Sequence, residues 1–214
     1  MNVLEGQGRY VWCDGRVYEG GFKAGAFHGK GTHTWPNGRR YEGDFMNDVK
    51  AGQGVFKWPD RTYDGSFEND VMNGLGVCKW KDGRQYIGEY KDDRMHGKGV
   101  YTWSDGRRYE GQYIKDKKNG LGKYRWADGA QYGGEWLNGK QHGKGVYSQA
   151  PSKGGKVRHG LWEDGKRLMW TDNTTATTAD VVVAENSETS NISSPPPSKE
   201  EPFNEEVKNE VVTT

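Results

Sequence analysis

Glycine and aromatic residues alternate with polar residues along most of this chain, and the alternation has the two-residue period of a β-strand. In the run 97–103 (GKGVYTW) both glycines, the tyrosine and the tryptophan share one face. In the run 109–113 (YEGQY) the two tyrosines and the glycine again share a face. Asp105-Gly106, between the two runs, is a strong hairpin signal, because glycine adopts the positive φ that a tight turn requires. The pattern predicts a β-hairpin.

The same unit recurs at steps of 22 or 23 residues. Its markers are a tyrosine, a glycine two residues later and a tryptophan before the turn, at Tyr18, Gly20, Trp35, Tyr41, Gly43, Trp58, Tyr63, Gly65, Trp80, Tyr86, Gly88, Trp103, Tyr109, Gly111, Trp126, Tyr132 and Gly134. A single unit of this size cannot bury its own apolar face and must stack on its neighbours. A glycine on the aromatic face leaves bare backbone on which a neighbouring ring can lie.

We therefore predict that residues 6–168 are all-β and form an elongated, single-layer antiparallel sheet of stacked β-hairpins. Strands are expected near 41–45, 52–58 and 63–67, and at the repeats of these positions. The mean hydropathy of −1.07 and the apolar content of 32% leave too little apolar surface for a thick two-layer core.

Composition divides the chain at residue 170. All 33 glycines, 9 tryptophans and 12 tyrosines lie in residues 1–170. Residues 1–170 carry 29 basic and 21 acidic side chains, whereas residues 171–214 carry 2 and 9. We expect a repeat array over 1–170 and a disordered, acidic tail containing Ser, Thr and Pro over 171–214. An alternative for part of the tail is a helix starting at Pro202 with Phe203, Val207 and Val211 on one face.

The repeat pattern contains no catalytic, cofactor or metal motif. The glycine-rich runs 25–31 and 139–145 lack the Ser or Thr that a P-loop uses to hold Mg²⁺. His28, His96 and His142 occupy one repeat position, predicted to be a loop position, in units too far apart to share a metal. The rings are needed over glycine, so no nucleic-acid binding is expected. We predict a protein that is not an enzyme.

Several arginines follow the predicted turns or begin the next strand, at Arg16, Arg39, Arg40, Arg84, Arg107 and Arg108. Stacked hairpins would align them along one edge. One interpretation is an edge that attracts an anionic partner, either lipid headgroups or an acidic protein. The other is a solvated edge whose charge is cancelled by the aspartates of the same turns.

The runs 41–45 (YEGDF), 96–101 (HGKGVY) and 109–113 (YEGQY) resemble MORN repeats (membrane occupation and recognition nexus). The resemblance covers about residues 6–168, as six full units with a half-unit at each end. The last half-unit has Arg158 where a tyrosine is expected and follows a longer loop at 148–155.

The resemblance implies a scaffold or adaptor that binds cytoskeletal, ciliary or motor proteins at membranes or cytoskeletal structures. It also leaves open a peripheral module that binds anionic phospholipid, and the regulatory arm of a phosphatidylinositol-phosphate kinase-like enzyme. The short tail argues against a catalytic domain. With neither a secretory signal nor a long apolar run, we expect a cytoplasmic protein associated with the cytoskeleton, a cilium or a membrane. A homodimer and weak attraction to an anionic membrane surface are compatible with the pattern.

Overall fold

The computed structural model describes residues 3–171 and 211–213. These residues are all-β, as predicted, with antiparallel hairpins in sequence order and one short 3-10 helix. They divide into two compact units, residues 3–81 with 211–213, and residues 82–171. No helix in these ranges is long and apolar enough to cross a membrane.

The first unit is an antiparallel meander in which each strand pairs with the next along the chain. A last strand runs parallel to the first and places Val211 opposite Arg9. The strands are β1 Gly6–Val11, β2 Val17–Lys23, β3 Ala26–Thr34, β4 Arg40–Met46, β5 Val49–Lys57, β6 Arg61–Glu68, β7 Val71–Trp80 and, at the C-terminus, β16 Val211–Thr213.

The second unit repeats this meander. Its strands are β8 Gln85–Lys91, β9 Arg94–Thr102, β10 Arg108–Ile114, β11 Lys117–Arg125, β12 Gln131–Leu137, β13 Lys140–Ser148, β14 Val157–Glu163 and β15 Lys166–Thr171. The longer loop predicted near 148–155 is confirmed, and it contains the 3-10 helix Pro151–Lys153.

The Asp-Gly signals mark connections at one end of the hairpins, which we name the loop edge. After β9, the N–H of Trp103 donates to the carbonyl of Arg107 at 2.9 Å, and that of Gly106 donates to the carbonyl of Trp103 at 3.1 Å. Only Gly106 in this loop has a positive φ, of 86°. The five-residue connection 103–107 therefore contains a three-residue turn, 104–106, that is closed by a left-handed glycine.

The opposite end, the turn edge, is built from two-residue turns that the sequence pattern did not predict. Lys115 and Asp116, between β10 and β11, have φ values of 49° and 67°. Two successive residues with positive φ make a type I′ turn, whose twist matches that of the strands. The equivalent pairs are Ala24-Gly25, Asn47-Asp48, Asn69-Asp70, Asp92-Asp93, Asn138-Gly139 and Asp164-Gly165.

These turns lengthen the strands and correct two predictions. The predicted start near residue 52 is wrong, because β5 begins at Val49. The loop assignment of His28, His96 and His142 is also wrong, because all three lie within strands. Their strands continue through a bulge in which a glycine with positive φ follows the histidine directly.

The repeat tyrosines form the core of each unit. Six of them are 0% exposed, namely Tyr18, Tyr41, Tyr63, Tyr86, Tyr109 and Tyr132. Tyr41 donates its hydroxyl to the carbonyl of Asp44 at 2.9 Å and contacts Phe45 edge-on at 5.1 Å between ring centroids. A ring from the next hairpin, Phe67, contacts the same tyrosine at 5.1 Å. Within each unit such contacts join neighbouring hairpins, as that of Tyr109 with Trp136 at 5.2 Å does in the second unit, and they favour a constant period of the repeats.

The predicted tail falls almost wholly outside the described residues, since 172–210 and 214 are not among them. Phe203 and Val207, two members of the suggested helix, lie in that range. The third, Val211, lies in strand β16, so the helix is wrong at that residue.

Candidate functional site

The face that carries the core tyrosines also carries a row of rings near the loop edge, in which the tryptophans are half-buried and Phe56, Tyr101 and Tyr124 are buried, and we name it the aromatic face. In the first unit this row consists of Tyr10, Trp12, His33, Trp35, Phe56 and Trp58. His33 and Trp35 stack at 4.0 Å, and Phe56 and Trp58 stack at 4.0 Å. Trp35 and Phe56 join these pairs at 5.5 Å. Stacking across hairpins makes one continuous aromatic surface in this unit.

The second unit has a row of its own, formed by Tyr101, Trp103, Tyr124, Trp126, Tyr147 and Trp170. Consecutive ring centroids are 4.4 to 6.2 Å apart. The final contact is made by Trp170 of β15, which also meets Trp162 at 6.0 Å. Trp162 is buried and packs on Tyr132 at 4.9 Å. The last half-unit, which lacks the expected tyrosine at Arg158, is thus completed by tryptophan.

Three of the predicted arginines lie over the tryptophans of this face. The guanidinium carbons of Arg16, Arg39 and Arg107 are 4.6, 5.3 and 5.3 Å from the ring centroids of Trp12, Trp35 and Trp103. Arg61, in the same turn position, lies 4.7 Å from Trp58. Cations over indole rings are held by the ring quadrupole. These arginines cover part of the aromatic row.

Arg39 donates to the neutral amide oxygen of Asn37, whereas Arg16, Arg84 and Arg107 each pair with an aspartate of their own turn. Arg84 Nε donates to Asp82 at 2.7 Å, and Arg107 Nε donates to Asp105 at 2.7 Å. The backbone N–H of Arg84, and then its guanidinium, lower the pKa of Asp82. The charge of these arginines is therefore largely balanced locally.

Arg40 and Arg108 occupy the opposite surface, which we name the polar face. They alternate with the inward tyrosines, and each pairs at 2.7 Å with Glu42 or Glu110 on its own strand. The structure therefore separates the six predicted arginines between two faces, and does not align them in one row.

The third position after the repeat tyrosine holds a carboxylate in three units and a glutamine in a fourth, and these side chains have a structural role. Glu89 Oε1 accepts the backbone N–H of Lys98 at 2.9 Å, and Glu135 Oε1 accepts that of Lys144 at 3.1 Å. Asp44 and Gln112 do the same in their hairpins. Each closes the bulge that follows a left-handed glycine. Within residues 3–171 and 211–213, no three His, Cys, Asp or Glu side chains are grouped to hold a metal.

Two polar residues of the aromatic face were missed by the sequence reasoning. His33 fills the position that Phe56 has in the next hairpin, between the rings of Trp12 and Trp35. Burial, and then the charge of Arg16, lower its pKa to about 4, so the imidazole is neutral at pH 7. The available signal was a polar residue in an aromatic position of the repeat.

The second missed residue is Lys118, in the position that Phe27, Met72 and Met95 occupy in other hairpins. Its Nζ is surrounded by four rings, with the nearest centroid, that of Tyr124, at 4.4 Å. Burial, and then the charge of Arg107, lower the pKa of Lys118 to about 8. Alignment of the repeats would have shown a lysine where three of them place an apolar side chain, Phe27, Met72 or Met95.

Comparison with protein-family models places these features in a known family. The MORN repeat model matches seven times, over residues 1–15, 18–39, 41–62, 63–83, 86–107, 109–131 and 132–150. The chain belongs to the MORN-repeat family. Its repeats are one more than the six full units expected from the tyrosines, because the match includes the N-terminal half-unit. Strands β14 and β15 continue the fold of this MORN array beyond the last matched residue.

Several solved structures resemble this chain at low sequence identity, and they include domains of the proteins SAS-4 and CPAP. The SAS-4 (dCPAP) TCP domain of Drosophila melanogaster is 10% identical, with a TM-score of 0.44 over 76% of this chain and 88% of that one. The TCP10 domain of Danio rerio CPAP is 18% identical, with a TM-score of 0.29 over 77% and 82%. The CPAP G-box domain is 17% identical, with a TM-score of 0.37 over 79% and 100%. None of these TM-scores is high enough to establish a common fold. Comparison with curated proteins gives no match.

Proposed function

We propose that this MORN array is a non-catalytic scaffold that binds protein partners through its aromatic face, at membranes or at cytoskeletal or ciliary structures. The observation that carries the proposal is the row of half-buried tryptophans, packed on buried rings and partly covered by arginines, that is present in both units. Tryptophan, tyrosine and arginine are the residues that dominate the binding energy of protein interfaces. A face built from them offers both apolar area and fixed donors to a partner.

The polar face lacks this combination, which makes it the internal reference. Arg40 and Arg108 there are engaged with glutamates of their own strands, and no tryptophan of the repeat accompanies them. The arginines next to them in sequence, Arg39 and Arg107, lie over tryptophans on the aromatic face. Each adjacent pair therefore presents the same charge to opposite surfaces.

This arrangement provides a matched test. The double variant Arg39→Glu/Arg107→Glu changes the aromatic face, and Arg40→Glu/Arg108→Glu makes the same charge change on the polar face. Partners are recovered with each full-length variant by affinity purification from the source cells and counted by quantitative mass spectrometry. We expect a defined set of partners to be lost with the first variant and kept with the second. Equal retention by both variants, or equal loss, contradicts binding through the aromatic face.

A second candidate is a peripheral module for anionic phospholipid, including a regulatory arm of a lipid kinase. It is supported by the excess of basic over acidic side chains in residues 1–170. The pairing of Arg84 and Arg107 with aspartates weakens it, since paired charges attract a membrane less. Sedimentation with phosphatidylserine vesicles at increasing salt separates the two functions. Salt-sensitive binding to the vesicles at physiological ionic strength favours the lipid module. An absence of vesicle binding favours the protein scaffold.

A further inference from the structure

Lys118 is an ammonium ion inside a box of aromatic rings. Its Nζ lies 4.4 Å from the ring centroid of Tyr124, 4.8 Å from Trp136, 5.0 Å from Tyr109 and 5.2 Å from Trp103. Within the described ranges no carboxylate pairs with it, and the charged group acting on it is another cation, Arg107. Ring faces attract a cation but accept its N–H groups only weakly.

In the first unit the lysine at the equivalent position has a carboxylate partner. Lys50 occupies the same place in its hairpin, 5.9 Å from the ring of Tyr41 and 5.8 Å from that of Phe56. Its Nζ donates to Asp70 Oδ1 at 2.7 Å. Asp70 is the second residue of the next two-residue turn. A half-buried lysine of this array is thus matched by a carboxylate from the neighbouring hairpin.

At Lys118 the two-residue turn of the neighbouring hairpin has no carboxylate to offer. The second residue of its turn is Gly139, which docks in the same way, since its N–H donates to the carbonyl of Lys118 at 2.8 Å. In the first unit the N–H of Asp70 donates to the carbonyl of Lys50 at 3.0 Å. The backbone arrangement is preserved and only the counter-ion is missing.

We propose that Lys118 anchors a carboxylate-binding site on the aromatic face, filled by an acidic side chain of the bound protein partner. The inference rests on the proposed function, because it names the chemistry that a partner brings to this face. A partly desolvated ammonium without a counter-ion is costly, and an incoming carboxylate removes that cost. Lys118 is half-buried as a residue, so it is not sealed within the core. Arg107, the other cation at the site, is already engaged by Asp105 at 2.7 Å.

Binding of a carboxylate and protonation of Lys118 are thermodynamically linked, so each favours the other. Burial lowers the pKa of Lys118 to about 8 in the free protein, and a carboxylate beside the ammonium raises it again. The carboxylate therefore binds the charged form better than the neutral form. A rise of one pKa unit on binding corresponds to about tenfold tighter binding below pH 8 than well above it.

The test uses the full chain and an N-acetylated hexaglutamate amide, with hexaglutamine as the uncharged probe. The pKa of Lys118 is followed by NMR on lysine labelled at the ε-carbon, assigned with Lys118→Met, a residue already found at Met72 and Met95. We expect hexaglutamate to raise the pKa of Lys118 by about one unit and to bind about tenfold more weakly at pH 9.5 than at pH 7. If hexaglutamate binding is independent of pH and leaves the pKa of Lys118 unchanged, the proposal is overturned. The peptide would then be bound by the arginines and not by Lys118.

Gly139→Asp supplies the missing counter-ion from within. Asp70 adopts a φ of 70° at the equivalent position, and a Cβ on Gly139 meets no atom within 4 Å, so the variant is compatible with the fold. We expect it to raise the pKa of Lys118 without peptide and to remove the pH-dependent part of hexaglutamate binding. The reverse change, Asp70→Gly, removes the carboxylate partner of Lys50. We expect this variant to bind hexaglutamate at Lys50 with the pH dependence that Lys118 gives in the unaltered protein. Unchanged binding in Gly139→Asp contradicts the proposal.

The chain's own acidic residues are the other source of a carboxylate. A full-length variant with Glu200, Glu201, Glu205 and Glu206 changed to glutamine should leave the pKa of Lys118 as it is. A lower pKa of Lys118 in that variant assigns the site to the chain's own tail and overturns the assignment to a partner. Hexaglutamate binding at Lys118 is measured without any cellular partner. The carboxylate site and the scaffold function can therefore fail separately.

Discussion

Glycine pairs that face each other across neighbouring strands predict a sharp penalty for a single methyl group. Gly111 of β10 lies opposite Gly122 of β11. A Cβ added to Gly111 would lie 2.5 Å from the Cα of Gly122, 2.7 Å from the carbonyl oxygen of Leu121 and 2.7 Å from the hydroxyl of Tyr109. Two of these three atoms belong to the backbone and cannot rotate away.

The magnitude follows from the overlap. Carbon atoms in contact lie about 3.5–4.0 Å apart, so the two strands must separate by roughly 1 Å at this point or the chain must bend. Inserting a group into a filled space costs about 1–3 kcal/mol, and we expect Gly111→Ala to destabilise the protein by about 2 kcal/mol. For a chain of this size that loss lowers Tm by roughly 4–8 °C.

Gly133→Ala is the matched control. Gly133 is also in a strand, but it points to the polar face, and a Cβ there meets no atom within 4 Å. Both variants change the unfolded chain in the same way, so their difference reports the folded state. Urea unfolding followed by tryptophan fluorescence gives the two free energies of unfolding. If Gly111→Ala and Gly133→Ala unfold at the same urea concentration, the close packing of glycine pairs under tyrosine is refuted.

Three further outcomes are expected. Between pH 6.5 and 4 the unfolded chain binds more protons at His33 than the folded chain does. As pH falls through this window, the free energy of unfolding of the unaltered protein should therefore drop by about 1–2 kcal/mol relative to that of His33→Phe, after allowance for solvent screening. Parallel pH profiles of the two proteins would contradict this. Asp116→Ala should cost about 1–2 kcal/mol, because Asp116 Oδ1 accepts the N–H of Met95 at 2.8 Å, and Asp116→Asn should cost less in the same urea titration. Gly106→Val should cost about 1–2 kcal/mol through its φ of 86° alone, since a Cβ there meets no atom within 4 Å; a melting curve equal to that of wild type would contradict the strained loop.

The hairpin array could be predicted because its determinants are local and repeated. Tyr41 and Gly43 have equivalents at the same spacing in the other repeats. Because side chains of a strand alternate between its two faces, residues two positions apart share a face. The Asp-Gly loops could be placed because glycine supplies positive φ. Four of the seven two-residue turns, among them Asn47-Asp48 and Lys115-Asp116, contain no glycine and so lack the hairpin signal, although asparagine and aspartate tolerate the left-handed region. Asn138-Gly139 and Asp164-Gly165 carry that signal and could have been placed from the sequence.

The candidate site was less accessible from the sequence. Its rings were identified, but as packing residues, because stacking over glycine and display to a partner use the same residue types. Arg39 and Arg40 were placed together, although Arg39 ends the loop and lies over Trp35, whereas Arg40 begins β4 on the polar face. Lys118 lies in a run of polar residues, and only the register of β11 shows that it points among rings. The division at residue 170 and the disordered tail stay predictions.

The two edges of the array differ in how much length they tolerate. Every connection at the turn edge has two residues, and its second residue is bonded to the preceding hairpin in most repeats, as Asp48 is to Phe27 at 3.1 Å. The loop edge is permissive, since its connections range from three residues at 58–60 to eight at 149–156. Insertions and deletions during evolution should therefore collect at the loop edge. The same edge is where an engineer can insert a fluorophore tag or a foreign loop without disturbing the register of the strands.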